Sequence, residues 1–190
     1  CLPRNLAKKT VEELAQLKEA GLQILYVGME SGDDEVLRRV NKGETWESTR
    51  SALVKIREAG LTSSVMVLNG LGGESLSRQH AINTATLCNE TQPDYLSTLV
   101  VSFPQGEGRF REGFGDDFVP LSQQGLFEEI RLFLEHLELD KTIFRSDHAS
   151  NYLVLKGTLG RDKQKMLDQV NLAITNPGAA PLRAEWMRGL

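Results

Sequence analysis

Four short polar stretches in this sequence combine residue types that bind or react. The first is Gly28-Met29-Glu30-Ser31-Gly32, a carboxylate and a hydroxyl between glycines. The second is Asn69-Gly70-Leu71-Gly72-Gly73-Glu74, where glycines let a ligand approach the main chain closely. The third, Ser102-Phe103-Pro104-Gln105-Gly106, offers a hydroxyl and an aromatic face. The fourth is Arg145-Ser146-Asp147-His148-Ala149-Ser150-Asn151-Tyr152. Its arginine can fork onto a carboxylate or phosphate, and its histidine can exchange protons near neutral pH. The competing reading of the fourth is a helix cap with a surface histidine.

Several chemistries are excluded by spacing. Gly70 to Gly73 lacks the Lys-Ser/Thr pair of a phosphate loop, and Glu74-Ser75 follows instead. An acid there repels phosphate, so the loop suits a neutral or cationic group; Glu74 serves equally as a helix cap. Ser31 is not in a GxSxG elbow. No two histidines have metal-ligand spacing, and His80 and His136 fall in helical patterns that read as surface groups. Lys163, Lys165 and Arg161 read as a solvated helix face. The catalytic residues stay unassigned and no metal ligand is assigned.

Each stretch follows an apolar run, which is where parallel α/β folds place their sites. Thr10 and Glu13 have capping-box spacing ahead of Val11, Leu14, Ala15 and Leu17, and Gly21 stops that helix. Glu19-Ala20-Gly21-Leu22 then recurs as Glu58-Ala59-Gly60-Leu61, each copy ending a helix and preceding an apolar strand. Parallel strands are expected near 23–28, 63–69, 95–102 and 142–145. Helices are expected over 45–59 and 76–89, and from Ser122 onward, where Ile130, Phe133, Leu134 and Leu137 make one apolar stripe. Gln105 to Pro120 reads as a long glycine-rich loop, and the tail from Asn176 as loosely ordered. The fold class is α/β, with right-handed strand–helix repeats and too few strands for a closed barrel.

The 190 residues carry a net charge of −4, with 40% hydrophobic and 25% charged residues. That balance fits one globular domain and gives no general basis for nucleic-acid binding. No run reaches the ~18 apolar residues of a membrane span. Cys1 and Cys88 make neither a disulfide framework nor a metal motif, and Cys88 reads as a buried apolar thiol. A reducing, cytoplasmic setting is expected. The start at Cys1-Leu2-Pro3 reads as a cut inside a longer protein.

Tyr26 to Gly43, YVGMESGDDEVLRRVNKG, strongly resembles the fourth-strand segment of radical S-adenosylmethionine (radical SAM) enzymes, many of which read close to GLESGSDEVLKxMNKG. Val65 to Glu74, VMVLNGLGGE, resembles that family's fifth-strand glycine motif, and Tyr95 to Gln105 is similar to its sixth-strand segment. The order and spacing of the three carry the resemblance, which covers about Thr10 to Gln105. It implies a (β/α)6 partial TIM-type barrel, with residues 1–160 as the C-terminal portion of the barrel and 161–190 as a C-terminal helix and tail. It implies S-adenosylmethionine and a [4Fe–4S] cluster in the full-length protein, acting as an Fe–S oxidoreductase-like enzyme on an unknown small-molecule or macromolecular substrate. Glu30 and Ser31 would touch the cofactor's ribose or methionine group. Gly70, Leu71 and Gly73 would line its adenine and methionine side, with Ser102 and Phe103 near adenine. Beyond the stretch that carries the resemblance, the chemistry of Arg145 and His148 makes them the candidates to face substrate.

The sequence departs from the family in one respect: it has no CxxxCxxC. The chain alone is therefore expected to bind no cluster and to be inactive. It is also expected to self-associate through the edge of its first strand, with Val27, Val65, Val67 and Leu99 on an uncovered inner face. The alternative reading is a non-catalytic α/β interaction or ligand-binding module.

Overall fold

The computed structural model describes residues 1–103 and 106–188. Two short helices, α1 (Pro3–Ala7) and α2 (Val11–Glu19), lead into β1 (Ile24–Glu30). Then come α3 (Asp34–Arg39), α4 (Trp46–Glu58), β2 (Thr62–Asn69), α5 (Gly73–Thr91) and β3 (Tyr95–Val100). The chain continues through α6 (Gly108–Phe114), α7 (Gln123–His136), β4 (Ile143–Ser146), β5 (Leu155–Thr158) and α8 (Leu159–Thr175), and Glu185–Met187 forms a 3₁₀ turn. The strands form one sheet in the order β1-β2-β3-β4-β5. The first three pairings are parallel and β4–β5 is antiparallel.

Helix starts follow the chemistry read from sequence. Thr10 accepts from the Glu13 amide while the Glu13 carboxylate accepts from the Thr10 amide. Asp33 caps α3 by accepting from the Val36 amide, and Ser122 caps α7 through the Gly125 amide. Such caps satisfy amides that have no partner within the helix.

The sheet has a covered face and an open one. Val27, Val65, Leu96 and Phe144 are direct neighbours across β1 to β4 and are almost wholly buried. They join Ile56 of α4, Leu87 of α5, Leu134 of α7 and Met166 of α8 in one apolar core. The neighbouring residues point the other way, as strand alternation requires. Two rows cross that open face: Tyr26-Ser64-Tyr95-Ile143-Thr158 and Gly28-Met66-Ser97-Arg145-Lys156. These residues are partly or fully exposed, Tyr26 at 62%. This corrects the assignment of Val27, Val65 and Val67 to an uncovered inner face. They are packed under the helices, and only Leu99 lies on the open side. The error was one of phase. Ser63 to Leu68 has no polar–apolar alternation, so which parity faced the helices was not written in it.

Three further differences from the sequence reading have physical causes. β5 pairs antiparallel at the end of the sheet and was missed, because Leu155 to Thr158 contains a glycine and one lysine and shows no apolar run. The segment read as a glycine-rich loop contains α6. Phe110 and Phe114, four apart on that helix, stack at 5.4 Å and pack on Phe118 at 4.6 and 4.8 Å, which outweighs the glycines. The tail after Asn176 lies against residues 147–151, where Arg183 donates to the carbonyls of Asp147, His148 and Asn151 and Arg188 to that of Ser150. At the other end of the chain, Cys1 meets the outer edge of β1: its carbonyl accepts from the Gly28 amide and its amine donates to the Tyr26 carbonyl.

The turn after β1 is pressed against α5. A Cβ on Gly32 would lie 2.7 Å from both the Asn83 carbonyl oxygen and the Thr84 Cα, which are backbone atoms of α5. The Gly32 amide also donates to the Thr84 hydroxyl at 2.8 Å. Gly32→Ala is therefore expected to cost about 1–3 kcal/mol, as overpacking does elsewhere. Urea unfolding of the variant checks this; an unchanged midpoint would show that the turn has room to move.

Candidate functional site

The four polar stretches lie at the C-terminal ends of β1 to β4, and the structure gives each a different surrounding. Glu30 sits at an irregularity in the β1–β2 register, between Gly28 and Glu30, with φ of 61°. A non-glycine residue in this region holds strain of about 1–3 kcal/mol. The twist aims its carboxylate back over Gly28, where a Cβ would lie 2.5 Å from Glu30 Oε1. Lys42 donates to Oε1 at 2.8 Å, and both side chains are mostly shielded. Glu30 Oε2 is buried with no hydrogen-bond partner. Only a glycine at position 28 leaves room for this carboxylate.

Ser31 is turned away from that carboxylate and into the protein. It is fully buried, with Oγ 2.8 Å from His80 Nδ1, and it accepts from the Asp33 amide at 3.0 Å. His80 Nε2 lies 3.1 Å from the Leu68 carbonyl, which can only accept. The network therefore assigns the proton to Nε2, and Nδ1 accepts from the Ser31 hydroxyl. His80 is 2% exposed, which corrects its reading as a surface group. Its side of α5 is built from small residues, Ala81, Thr84, Ala85 and Cys88, all buried. Helical periodicity in large apolar residues does not find such a face; the small-residue spacing around His80 was the available signal. His136 is exposed, as expected. Cys88 is buried, and burial pushes its thiol up to about 12.

The glycine loop after β2 is gripped from both sides. The Gly70 amide donates to Glu129 Oε1 at 2.6 Å, and the Ser77 hydroxyl donates to Glu129 Oε2 at 2.6 Å. Glu129 lies on α7, is 3% exposed, and has Oε1 3.9 Å from His80 Nε2. Burial holds its carboxyl above the usual range, partly offset by His80, Ser77 and the Gly70 amide. Gly70 and Gly73 have φ of 84° and 58°. Leu71 is buried, and a Cβ on Gly73 would meet the Phe118 ring at 2.9 Å and the Val119 carbonyl at 2.8 Å. Phe103, after β3, packs on Phe110 at 4.7 Å with the rings tilted by 55° and meets Phe118 edge-on at 5.9 Å. Ser102 beside it is partly exposed; Pro104 and Gln105 lie outside the described residues. An aromatic cover thus spans the strand ends. It is tied to α3 by Arg39, which donates to Asp117 at 3.1 Å and lies over the Phe114 ring.

After β4, Arg145 is exposed on the open face, while His148 stands on the following loop, its Nδ1 accepting from the Ser150 hydroxyl at 2.9 Å and the Ser150 amide at 3.1 Å. Lys156 pairs with Asp147 at 2.7 Å. That hydrogen bond, with Lys156 and Arg145 nearby, holds the Asp147 carboxyl below the usual carboxylate range. The structure therefore brings Gly70, Leu71, Gly73 and Phe103 together under one cover. Glu30 lies to one side of them, Ser31 is buried beneath, and Arg145 lies across the sheet. Lys42, Phe118, Glu129 and Lys156 were not singled out in the sequence, and His80 was read only as a surface group.

These residues fit the two implied groups differently. A [4Fe–4S] cluster held by three thiolates is not compatible with a chain whose two cysteines are one exposed residue and one buried thiol. Among the described residues no His, Cys, Asp and Glu side chains gather in a group that can hold a metal ion. S-adenosylmethionine does fit one feature, since the unpartnered Glu30 Oε2 calls for an amine or hydroxyl donor. No helix among the described residues is long and apolar enough to cross a membrane.

Residues 4–85 match the model of the Radical SAM superfamily. No curated protein matches the chain. Among solved structures, the archaeal Methanocaldococcus infernus Elp3 with an N-terminal deletion (1–46) superposes with a TM-score of 0.62 at 17% identity, over 90% of this chain. The chain spans 41% of that protein's length. At that identity the likeness shows the fold alone, an α/β partial barrel of alternating strands and helices.

Proposed function

We propose, from the match of residues 4–85 to the Radical SAM superfamily model, that this chain forms the C-terminal part of such an enzyme's barrel and carries part of the S-adenosylmethionine site. In the whole enzyme a [4Fe–4S] cluster would supply the electron for reductive cleavage of S-adenosylmethionine, and Glu30, Lys42 and the Gly70–Gly73 loop would help hold that cofactor. This chain's contribution is binding. Glu30 accepts from the cofactor's hydroxyl or amine group, with Lys42 fixing the carboxylate's direction. The Gly70–Gly73 loop presents main chain to it, and Glu129 sets the loop's position. Phe103 and the aromatic cover exclude water from the strand ends.

The single observation that carries the reading is the Glu30 carboxylate. It is held over Gly28 in a strained backbone, with one oxygen paired and the other buried and unpartnered. Conformations of this kind persist where function uses them. The cluster's cysteines are expected from sequence outside this chain.

The test uses two measurements. After anaerobic incubation with iron and sulfide, the chain is expected to retain no stoichiometric cluster; iron and acid-labile sulfide at four per chain would overturn the reading. In a longer form bearing a CxxxCxxC segment, Glu30→Ala is expected to weaken S-adenosylmethionine binding about tenfold, the value of one charge-assisted hydrogen bond. Equal affinity of the variant and the parent in equilibrium dialysis would remove Glu30 from the site.

A further inference from the structure

The open face of the sheet is not neutral along its length. Gly28, Met66, Ser97, Arg145 and Lys156 are consecutive neighbours in one row across all five strands. At one end Glu30 folds back over Gly28, its charge paired with Lys42. The other end is basic, since Arg145 and Lys156 stand directly opposite each other on β4 and β5. Like charges in that arrangement are destabilising by themselves. Asp147 relieves one of them by pairing with Lys156 at 2.7 Å. Arg145 is left exposed beside Ser97, with no hydrogen bond or ion pair to its guanidinium among the described residues.

The backbone under this cation is fixed. The Ser150 hydroxyl accepts from the Val100 amide at 3.1 Å, and the Asn151 side chain donates to the Thr98 carbonyl at 2.8 Å, tying the loop after β4 to β3. Arg183 and Arg188 hold the same loop from outside through its carbonyls. A guanidinium on a rigid strand, flanked by a second cation, matches the planar fork of a carboxylate or phosphate; the neighbouring Ser97 hydroxyl is committed to the Val65 carbonyl at 3.2 Å. Three strand spacings, roughly 14 Å, separate it from Gly28.

We propose that Arg145, with Lys156, is an anion-binding subsite on the open face, and that it takes the carboxylate or phosphate of the substrate. Naming the anion as part of a substrate rests on the function proposed above; its binding needs neither the cluster nor S-adenosylmethionine. Asp147 is the internal competitor, since its carboxylate occupies Lys156 and lies near Arg145. The subsite therefore has a signature that a solvated surface arginine lacks: neutralising Asp147 should tighten it.

The experiment titrates the chain with inorganic phosphate and, separately, with acetate at constant ionic strength, following the Arg145 Nε–H resonance by NMR. A saturable shift is expected with at least one of the two, and the tighter of them names the group. Arg145→Gln, at an exposed position, is expected to retain the parent's urea midpoint. Binding by that variant, followed at the Ser97 amide, should weaken about tenfold. Lys156→Gln should weaken binding and Asp147→Asn should tighten it. No saturation with either anion, or equal affinity in Arg145→Gln, would overturn the subsite. So would an unchanged affinity in Asp147→Asn. Loss of the subsite with S-adenosylmethionine binding intact, or the reverse, separates this inference from the one before.

Discussion

Glu129→Ala is expected to destabilise the chain by about 3–5 kcal/mol, the usual result of removing one partner from a buried charged network. Two donors would lose their acceptor at once: the Gly70 amide and the Ser77 hydroxyl. Each buried group without a partner costs about 1–3 kcal/mol. Glu129→Gln keeps an acceptor oxygen and the volume, so its effect should be much smaller and should depend on pH. Burial raises the folded-state pKa of Glu129 above its unfolded value. The native state therefore binds the proton more tightly, and the stability linked to it is full below about pH 4.3, the ordinary glutamate value. It is lost as pH rises through the folded pKa. Glutamine mimics the protonated form and has no such loss. The stability of Glu129→Gln relative to the parent should therefore improve as pH rises from about 4 to 7. Urea unfolding at several pH values measures both effects. A difference between parent and Gln variant that stays constant with pH would show that the carboxyl is ionised without penalty.

Phe144→Ala is expected to cost about 3–5 kcal/mol, as phenylalanine truncations in well-packed cores do. Phe144 is the last large residue in the row Val27-Val65-Leu96-Phe144, and none of its surface is exposed. β4 has only four residues, so this ring is its principal anchor in the core. With a domain stability of about 5–15 kcal/mol, the loss is roughly a fifth or more of the total. A shift of the urea midpoint equivalent to less than about 1 kcal/mol would mean that the neighbouring helices collapse into the cavity and that the sheet is softer at β4 than its burial implies.

The fold was largely legible because its markers are local. The two Glu-Ala-Gly-Leu helix ends, the capping residues and the apolar runs fall where the helices and parallel strands form. The likeness of Tyr26 to Gly43 to the family's segment placed Glu30 at a strand end, where it stands. What escaped was set by contacts distant in sequence. Ser31 meets His80, 49 residues on, and Gly70 meets Glu129, 59 residues on. A histidine inside a helix of small residues has no period of large apolar side chains to betray its burial, only the spacing of the small ones. Nor do residue types alone reveal that Phe118 fills the space beside Gly73. The charge at the far end of the open face became visible only when register set Lys156 opposite Arg145.

The order of the strands in the sheet is also their order along the chain. Every strand pairs with the one made just before it, and no strand has to be inserted between two that are already joined. Loop-closure entropy is then met in instalments, one strand–helix unit at a time, instead of in a single long closure. On a ribosome, β2 can zip onto β1 while β3 is still being synthesised, and each new helix can cover the pair beneath it. The growing edge moves with the chain, so at any moment a single strand is waiting for its partner, which limits the time an unpaired apolar strand is open to aggregation.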